Sequence, residues 1–352
     1  MPNGPDDAAL ADRLAARTLE LVDVPSESRE EAALAAHVAG VLRDGGAEVL
    51  DLGDACLLAR PPGRRPATLL AGHLDTVPAQ DNVPGRRDAE RVHGLGASDM
   101  KGGLAVMVEL ALAGADLAVL LFPREELPFA ETALTPLLER AAGELDVEAA
   151  VVLEPTDCAV HAGCLGNVNA RWTFHGRSGH SARPWLADNA IERAADGIVA
   201  LAARPANPVQ FDGLEFVEVA SVTRIAGGIA GNVIPDRVEC GLNFRYAPGR
   251  TPDEAEARLA ELCGGHGELE VLANAPSGAV CVSHPAIGRL IEGGGLEVAP
   301  KQAWTPVAEL TAAGIPAVNF GPGSPAQAHR RDESIPIANL LRAYRVLEAH
   351  AA

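Results

Sequence analysis

No block of lysine or arginine occurs in this 352-residue chain, whose formal charge is −19. Nucleic acid and anionic membrane are therefore not expected as partners, because both select for a basic face. No stretch approaches about eighteen consecutive apolar residues, the length a membrane-spanning helix needs. The opening Met1-Pro2-Asn3-Gly4-Pro5-Asp6-Asp7 lacks the basic and apolar regions of a signal peptide. Cysteines stand scattered at Cys56, Cys158, Cys164, Cys240, Cys263 and Cys281 without a CxxC pair. They read as small buried hydrophobes in a reducing, cytoplasmic compartment, and nothing beside Cys158 and Cys164 completes a thiolate metal set. A dinucleotide site is excluded because no G-x-G-x-x-G follows the first strand, and a G-x-S-x-G elbow is missing as well. Ser178 and Ser181, near His175 and His180, are thus weak grounds for a serine hydrolase.

What is present is a set of metal-seeking and proton-handling side chains placed where apolar runs break. Leu69-Leu70-Ala71-Gly72 leads into His73 and Asp75, Leu117 to Phe122 precedes Glu125-Glu126, and Ala149 to Leu153 ends in Glu154. Runs of that length and composition predict buried strands of a parallel sheet. Ligands of open α/β sheets bind beyond the carboxyl ends of the strands, so several strands bring carboxylates and imidazoles to one edge. His73 and Asp75, two apart, project to the same side, and a metal-bound imidazole usually gives its other N–H to a carboxylate. An exposed loop pair is the plain alternative. Asp99, after a glycine-rich loop, is a helix N-cap or a ligand. Glu125-Glu126 is a solvated pair, or one acid on a metal and one holding the proton of a water. An unpaired Glu154 at the end of so apolar a strand would be costly, and a metal removes that cost. His329, in Ala328-His329-Arg330-Arg331-Asp332-Glu333, is a surface residue or the remaining ligand. Two imidazoles and three carboxylates suit two borderline-soft ions, zinc first, with cobalt or manganese as substitutes.

Helical spacing covers 8–24, and Ser28 with Glu31 resembles a capping box for a second helix ended by Gly45-Gly46. Strands are expected at 47–52, 55–60 and 67–75, and helix and strand alternate to about 154. Beyond Gly163 the order becomes β-α-β-β-α-β, that of a ferredoxin-like unit, and after about 280 the chain returns to α/β character, ending in a helix over 336–349. The expected architecture is an α/β catalytic domain with a mixed, mostly parallel sheet (1–164 and 278–352), interrupted by an α+β domain at 165–277. Trp172, Trp185 and Trp304 are expected to pack, and His161 and the other remaining histidines to be structural or solvated.

The runs GHLDTVP, GASDMKGG, REE, LEPTD, GRSGHSARPWLADNAI, NVIPD, NFRYAP and AHRRDE, in that order, resemble the di-zinc aminoacylase and carboxypeptidase family of metallohydrolases. The likeness extends from about residue 10 to the C-terminus and runs to the family's actinobacterial-type desuccinylases. It implies that His73 and Glu154 hold one zinc, His329 and Glu126 the other, and that Asp99 bridges them. Asp75 would orient His73, Glu125 would be general base and acid, and His180 would reach into a partner subunit's site to stabilise the oxyanion. Asn232 and Arg245 would contact substrate. The inserted domain would be a dimerisation lid, giving a homodimer. The implied reaction is hydrolysis of an N-acyl amino acid, with N-succinyl-LL-2,6-diaminopimelate expected as the small-molecule substrate. One stretch departs from the family pattern: Pro306 and Glu309 stand where an acid and an arginine are usual, which reverses the sign of a carboxylate clamp. Lys301, Arg330 and Arg331 are the cations at hand to replace it. Ser324, where aspartate is frequent, is a smaller departure. An acetylornithine-type deacetylase, a dipeptidase and a non-catalytic binding protein therefore stay open.

Overall fold

The computed structural model describes residues 5–352. It divides into two compact units, one of the chain up to Gly163 with Ala279–Lys301 and Thr305–Ala352, the other of Cys164–Gly278 with Gln302–Trp304. The sequence boundaries at 165 and 277 fall one residue inside the long segment of the second unit. The short segment 302–304 has no counterpart in the sequence expectation.

The first unit is built on an eight-stranded sheet. Its order is Glu48–Asp51, Leu57–Arg60, Ala118–Phe122, Thr68–His73, Ala149–Val152, Ala317–Asn319, Val160–Ala162 and Val298–Pro300. Thr68–His73 runs parallel to both Ala118–Phe122 and Ala149–Val152, and the latter runs parallel to Ala317–Asn319. Leu57–Arg60 is antiparallel to both its neighbours, so the sheet is mixed and mostly parallel. The central strands are apolar on both faces because both are covered. Leu70, Val119 and Leu121 pack with Leu14, Leu104, Met107 and Leu340 of the helices on one side. Leu69, Ala71 and Leu120 pack with Leu134, Leu137 and Leu310 on the other. Successive side chains thus serve opposite helical layers, the period-two alternation of a strand.

The second unit has a five-stranded antiparallel sheet in the order Asn207–Phe211, Leu214–Gly227, Arg237–Tyr246, Gly166–His175, Glu268–Ala275. Helices Ala190–Ala202 and Pro252–Cys263 pack on it around Trp172, Phe174, Phe244 and Leu259. Apart from the edge strand Asn207–Phe211, the chain order is the β-α-β-β-α-β of the sequence reading. Thr251 and Glu254 close a capping box on the second of these helices, satisfying two N–H groups its first turn leaves free.

Three local expectations are corrected. Ser28 does not cap the helix Ala32–Asp44; its hydroxyl donates to Asp75 at 2.8 Å, and Glu31 takes the N-cap position without a side-chain capping bond to the helix. Asp99 is not an N-cap either, because the helix starts at Gly102 and Asp99 lies in the irregular turn before it at φ −128°, ψ 93°. Trp185 does not pack: it is 75% exposed, whereas Trp172 is buried. Among the described residues no helix is long and apolar enough to cross a membrane.

Candidate metal centre

Three parallel strands end at one edge of the first unit's sheet, and each brings an acid or an imidazole there. His73 is the last residue of its strand, Glu125-Glu126 follow Phe122 by three and four residues, and Glu154 follows Val152 by two. His73 Nε2 lies 3.2 Å from Asp99 Oδ1 and 3.7 Å from Glu154 Oε1. His329 Nε2 lies 3.0 Å from Glu126 Oε1 and 3.7 Å from Asp99 Oδ2. The two oxygens of Asp99 therefore face two different imidazole–carboxylate pairs. The groups His73–Asp99–Glu154 and Asp99–Glu126–His329 each bring one ligand atom per residue within 4.8 Å of the others, as do His73, Glu125 and Glu126. No cysteine joins such a group among the described residues.

Other residues hold this cluster from behind. Asp75 is buried, and its carboxylate accepts the backbone N–H of Glu125 at 2.9 Å, that of Glu126 at 3.1 Å, and the Ser28 hydroxyl. His73 Nδ1 lies 3.0 Å from the Asp75 carbonyl oxygen and 3.6 Å from its carboxylate, so Asp75 fixes the ring through its backbone more closely than through its acid. Glu333 is 2% exposed and accepts three backbone N–H groups, from Gly96 (2.9 Å), Ser98 (2.8 Å) and Asp99 (2.9 Å). It thereby fixes the turn that presents Asp99. Among the non-glycine residues with positive φ are Arg124 at 63° and His329 at 60°, an uncommon conformation that surrounding contacts must hold. Arg124 is held by a fork to Asp54 and a bond to the Glu131 carbonyl. Gly321 allows the loop before His329 to lie against Glu154: a β-carbon there would meet the Leu153 and Glu154 carbonyl oxygens at 2.3 and 2.5 Å.

The charges within the cluster conflict. Burial disfavours a charged His73, but Asp75 and Asp99 outweigh it and set its pKa well above the usual value. Burial, then the Glu154 charge, pushes Glu125 well up, and burial with Asp99 pushes Glu154 up to about 7. The hydrogen bond to Glu126 raises His329 to about 9. Four carboxylates this close repel one another unless cations or protons intervene. Glu154 Oε1 is buried with no hydrogen-bond partner. A buried acceptor without a donor, beside imidazole nitrogens and a two-faced aspartate, fits a pair of divalent cations.

The other expected site residues lie in the second unit. His180, on the two-residue strand Gly179–His180, pairs in register with Val233 and is exposed, its Nδ1 accepting the Ala182 N–H at 3.1 Å. Exposed Asn232 accepts the Ser181 N–H at its carbonyl, which brings Asn232 and His180 together. Arg245 is half-buried and donates to Asn243, whose amide in turn donates to Asn167 and Asn169. Glu309 is buried, and its Oε1 accepts the Thr132 hydroxyl and both the hydroxyl and N–H of Thr135. It braces the start of the helix Leu134–Arg140. Ser324 exchanges bonds with Ser98 through its backbone and donates its hydroxyl to Asp157. The sequence gives neither Glu333 nor Ser28 a place in this site: Ser28 reads there as a helix cap and Glu333 as one more acid in a charged loop.

Comparison with known proteins bears on this site. The family described as Peptidase family M20/M25/M40 matches residues 69–352. The chain is 39% identical over 340 residues to a Mycobacterium tuberculosis protein named as a succinyl-diaminopimelate desuccinylase, covering 95% of this chain and 96% of that one. A Corynebacterium glutamicum succinyl-diaminopimelate desuccinylase is 34% identical over 352 residues (95% and 94%). An N-acetyl-L-citrulline deacetylase of Xanthomonas campestris is 30% identical over 316 residues (84% of each). Among solved structures, a Staphylococcus aureus tripeptidase superposes with TM-score 0.76 at 20% identity over 96% of this chain and 97% of its own. A dinuclear metal-binding peptidase of Bacillus subtilis gives 0.69 at 17% identity over 98% of each.

Proposed function

Because the chain belongs to the M20/M25/M40 peptidase family and is a metal-dependent amidohydrolase, we propose that it hydrolyses N-succinyl-LL-2,6-diaminopimelate to succinate and LL-2,6-diaminopimelate. The observation that carries the mechanism is the position of Asp99 between the His73–Glu154 and His329–Glu126 pairs. In our proposal His73 and Glu154 hold one zinc ion, Glu126 and His329 the other, and Asp99 both, with cobalt or manganese as substitutes. Bound there, two such ions supply Lewis acidity at the amide carbonyl and lower the pKa of a neighbouring water. Glu125 takes the proton of the attacking water and returns it to the leaving amine. Its burial among carboxylates, which raises its pKa, suits a group that must both accept and release a proton near neutral pH. Asp75 aligns Glu125 and Glu126 by their N–H groups and His73 by its ring nitrogen.

The inserted unit supplies the rest of the proposal. In a homodimer made through it, His180 reaches the partner's site and stabilises the carbonyl oxygen as charge develops, while Asn232 and Arg245 contact substrate, Arg245 at a carboxylate. Support for such an interface comes from apolar side chains left exposed on this unit, among them Val199 at 68%, Ile225 at 57% and Ile229 at 88%. A reducing, cytoplasmic setting is part of this reading, and five of the six cysteines are buried, as small apolar side chains would be.

Glu309 favours a second reading. It stands where relatives with a carboxylate clamp carry an arginine, and its own carboxylate is engaged with Thr132 and Thr135. A deacetylase needs no such clamp. A substrate panel on metal-reconstituted enzyme separates the two: turnover of the succinyl compound well above its acetyl analogue is expected, and preference for the acetyl compound would defeat the desuccinylase assignment.

A further inference from the structure

The chain has two lysines, Lys101 and Lys301, and both are buried, at 2% and 8% exposure. Their surroundings differ. Lys101 donates to the Val24 carbonyl at 2.8 Å and has the charges of Glu333 and Asp23 nearby. Lys301 follows the strand Val298–Pro300, and its ammonium makes one hydrogen bond, to the Pro155 carbonyl, at 3.4 Å. That is beyond the usual range for N–H···O, and an ammonium has three donors. No ion pair within 4.0 Å involves Lys301 among the described residues.

Its position is as telling as its unspent donors. Pro155 immediately follows Glu154, so the ammonium is anchored one peptide from a candidate metal ligand. Its charge reaches Asp99 and Glu154, and also His161, whose pKa burial and then Lys301 lower to about 4, leaving that ring neutral near pH 7. A buried ammonium with donors unspent favours an anion that can meet them. Arg330 and Arg331 do not share this situation, since they are exposed and paired with Asp332 and Asp81.

We infer that Lys301 is a specificity-determining residue whose ammonium binds a carboxylate of the substrate beside the metal centre. The inference rests on the amidohydrolase function proposed above and adds the residue that reads the substrate's charge. A succinyl group carries its carboxylate two methylenes from the scissile carbonyl; the amino-acid portion carries others. The shared chemistry is a carboxylate meeting unspent ammonium donors in a water-poor site.

The test compares wild type, Lys301→Met and Lys301→Arg, with metal content and melting temperature measured for each. With the succinyl substrate, Lys301→Met is expected to raise KM about 10–100-fold, the range for losing a charged hydrogen bond, with kcat changed far less. Lys301→Arg should restore part of the loss. If the acetyl analogue is unaffected, the carboxylate is that of the acyl group; equal losses on both assign it to the amino-acid portion. Unchanged KM for both substrates in a metal-replete Lys301→Met would overturn the inference. Calorimetric binding of succinate is the second readout, expected in wild type and lost in Lys301→Met. Should wild type cleave neither amide, the proposed function fails, while unchanged KM on both substrates together with equal succinate binding by both proteins would overturn the role of Lys301.

Discussion

The Asp75 carboxylate accepts the backbone N–H of Glu125 at 2.9 Å. An acid two residues beyond one candidate ligand thus fixes the loop that carries the candidate base, from a strand that is a neighbour in space and 50 positions away in sequence. Its other oxygen does the same for Glu126 at 3.1 Å. Base and ligand are therefore aligned by one buried anion, and their roles are separable by substitution.

Glu125→Gln keeps the shape of the side chain and removes its proton affinity. We expect full metal content with kcat lowered by about 10²–10⁴-fold, the usual contribution of a positioned acid–base group. Metal analysis beside steady-state kinetics checks this. Turnover near wild type with both ions present would show that Glu125 is not the base.

Glu333 touches no candidate ligand side chain, yet Glu333→Ala would free the N–H groups of Gly96, Ser98 and Asp99 together. Metal affinity is expected to fall about 10–100-fold, as when groups supporting metal ligands are removed. Titration with cobalt, followed by its visible absorption, reads the affinity and the ligand geometry directly. An unaltered affinity and spectrum would reduce Glu333 to a fold-stabilising role.

Glu309→Ala should act on stability alone. Three donors lose their acceptor, Thr132 and Thr135 among them, and a cost of about 1–3 kcal/mol is expected. Chemical denaturation measures the cost, and the ratio of succinyl to acetyl turnover should stay put. A changed ratio would place Glu309 in substrate selection.

His161 gives a pH dependence with a definite sign. Burial first, and Lys301 second, lower its pKa from 6.5 to about 4, so the folded protein holds the ring neutral while the unfolded chain protonates it more readily. The stability this group contributes is complete above pH about 6.5 and is lost as pH falls through about 4. His161→Gln should therefore show a smaller drop in melting temperature between pH 6.5 and pH 4 than wild type. An equal drop would mean that His161 titrates alike in both states.

Much of the site was legible because its donors end apolar runs. A parallel strand buried on both faces must be apolar until it leaves the sheet, so a His73 or Glu154 at that break announces itself. Where local grammar had two meanings, the wrong one was available. Ser28 with Glu31 has the spacing of a capping box, but the hydroxyl found a stronger acceptor in the buried Asp75. Trp185 looked like a packing residue by type, and lies exposed.

By itself the amino-acid order determined the alternation of helix and strand, the interruption by a ferredoxin-like unit, and the types of donor at each strand end. Those features follow from hydrophobic periodicity and chain chemistry, which act over a few residues. Only the tertiary structure decided that Asp99 faces two imidazoles, that Glu333 holds a turn 234 positions away, and that Lys301 is buried with donors to spare. Such pairings depend on which distant segments the packed sheet brings together, and hydrogen bonds act over about 3 Å whatever the separation along the chain.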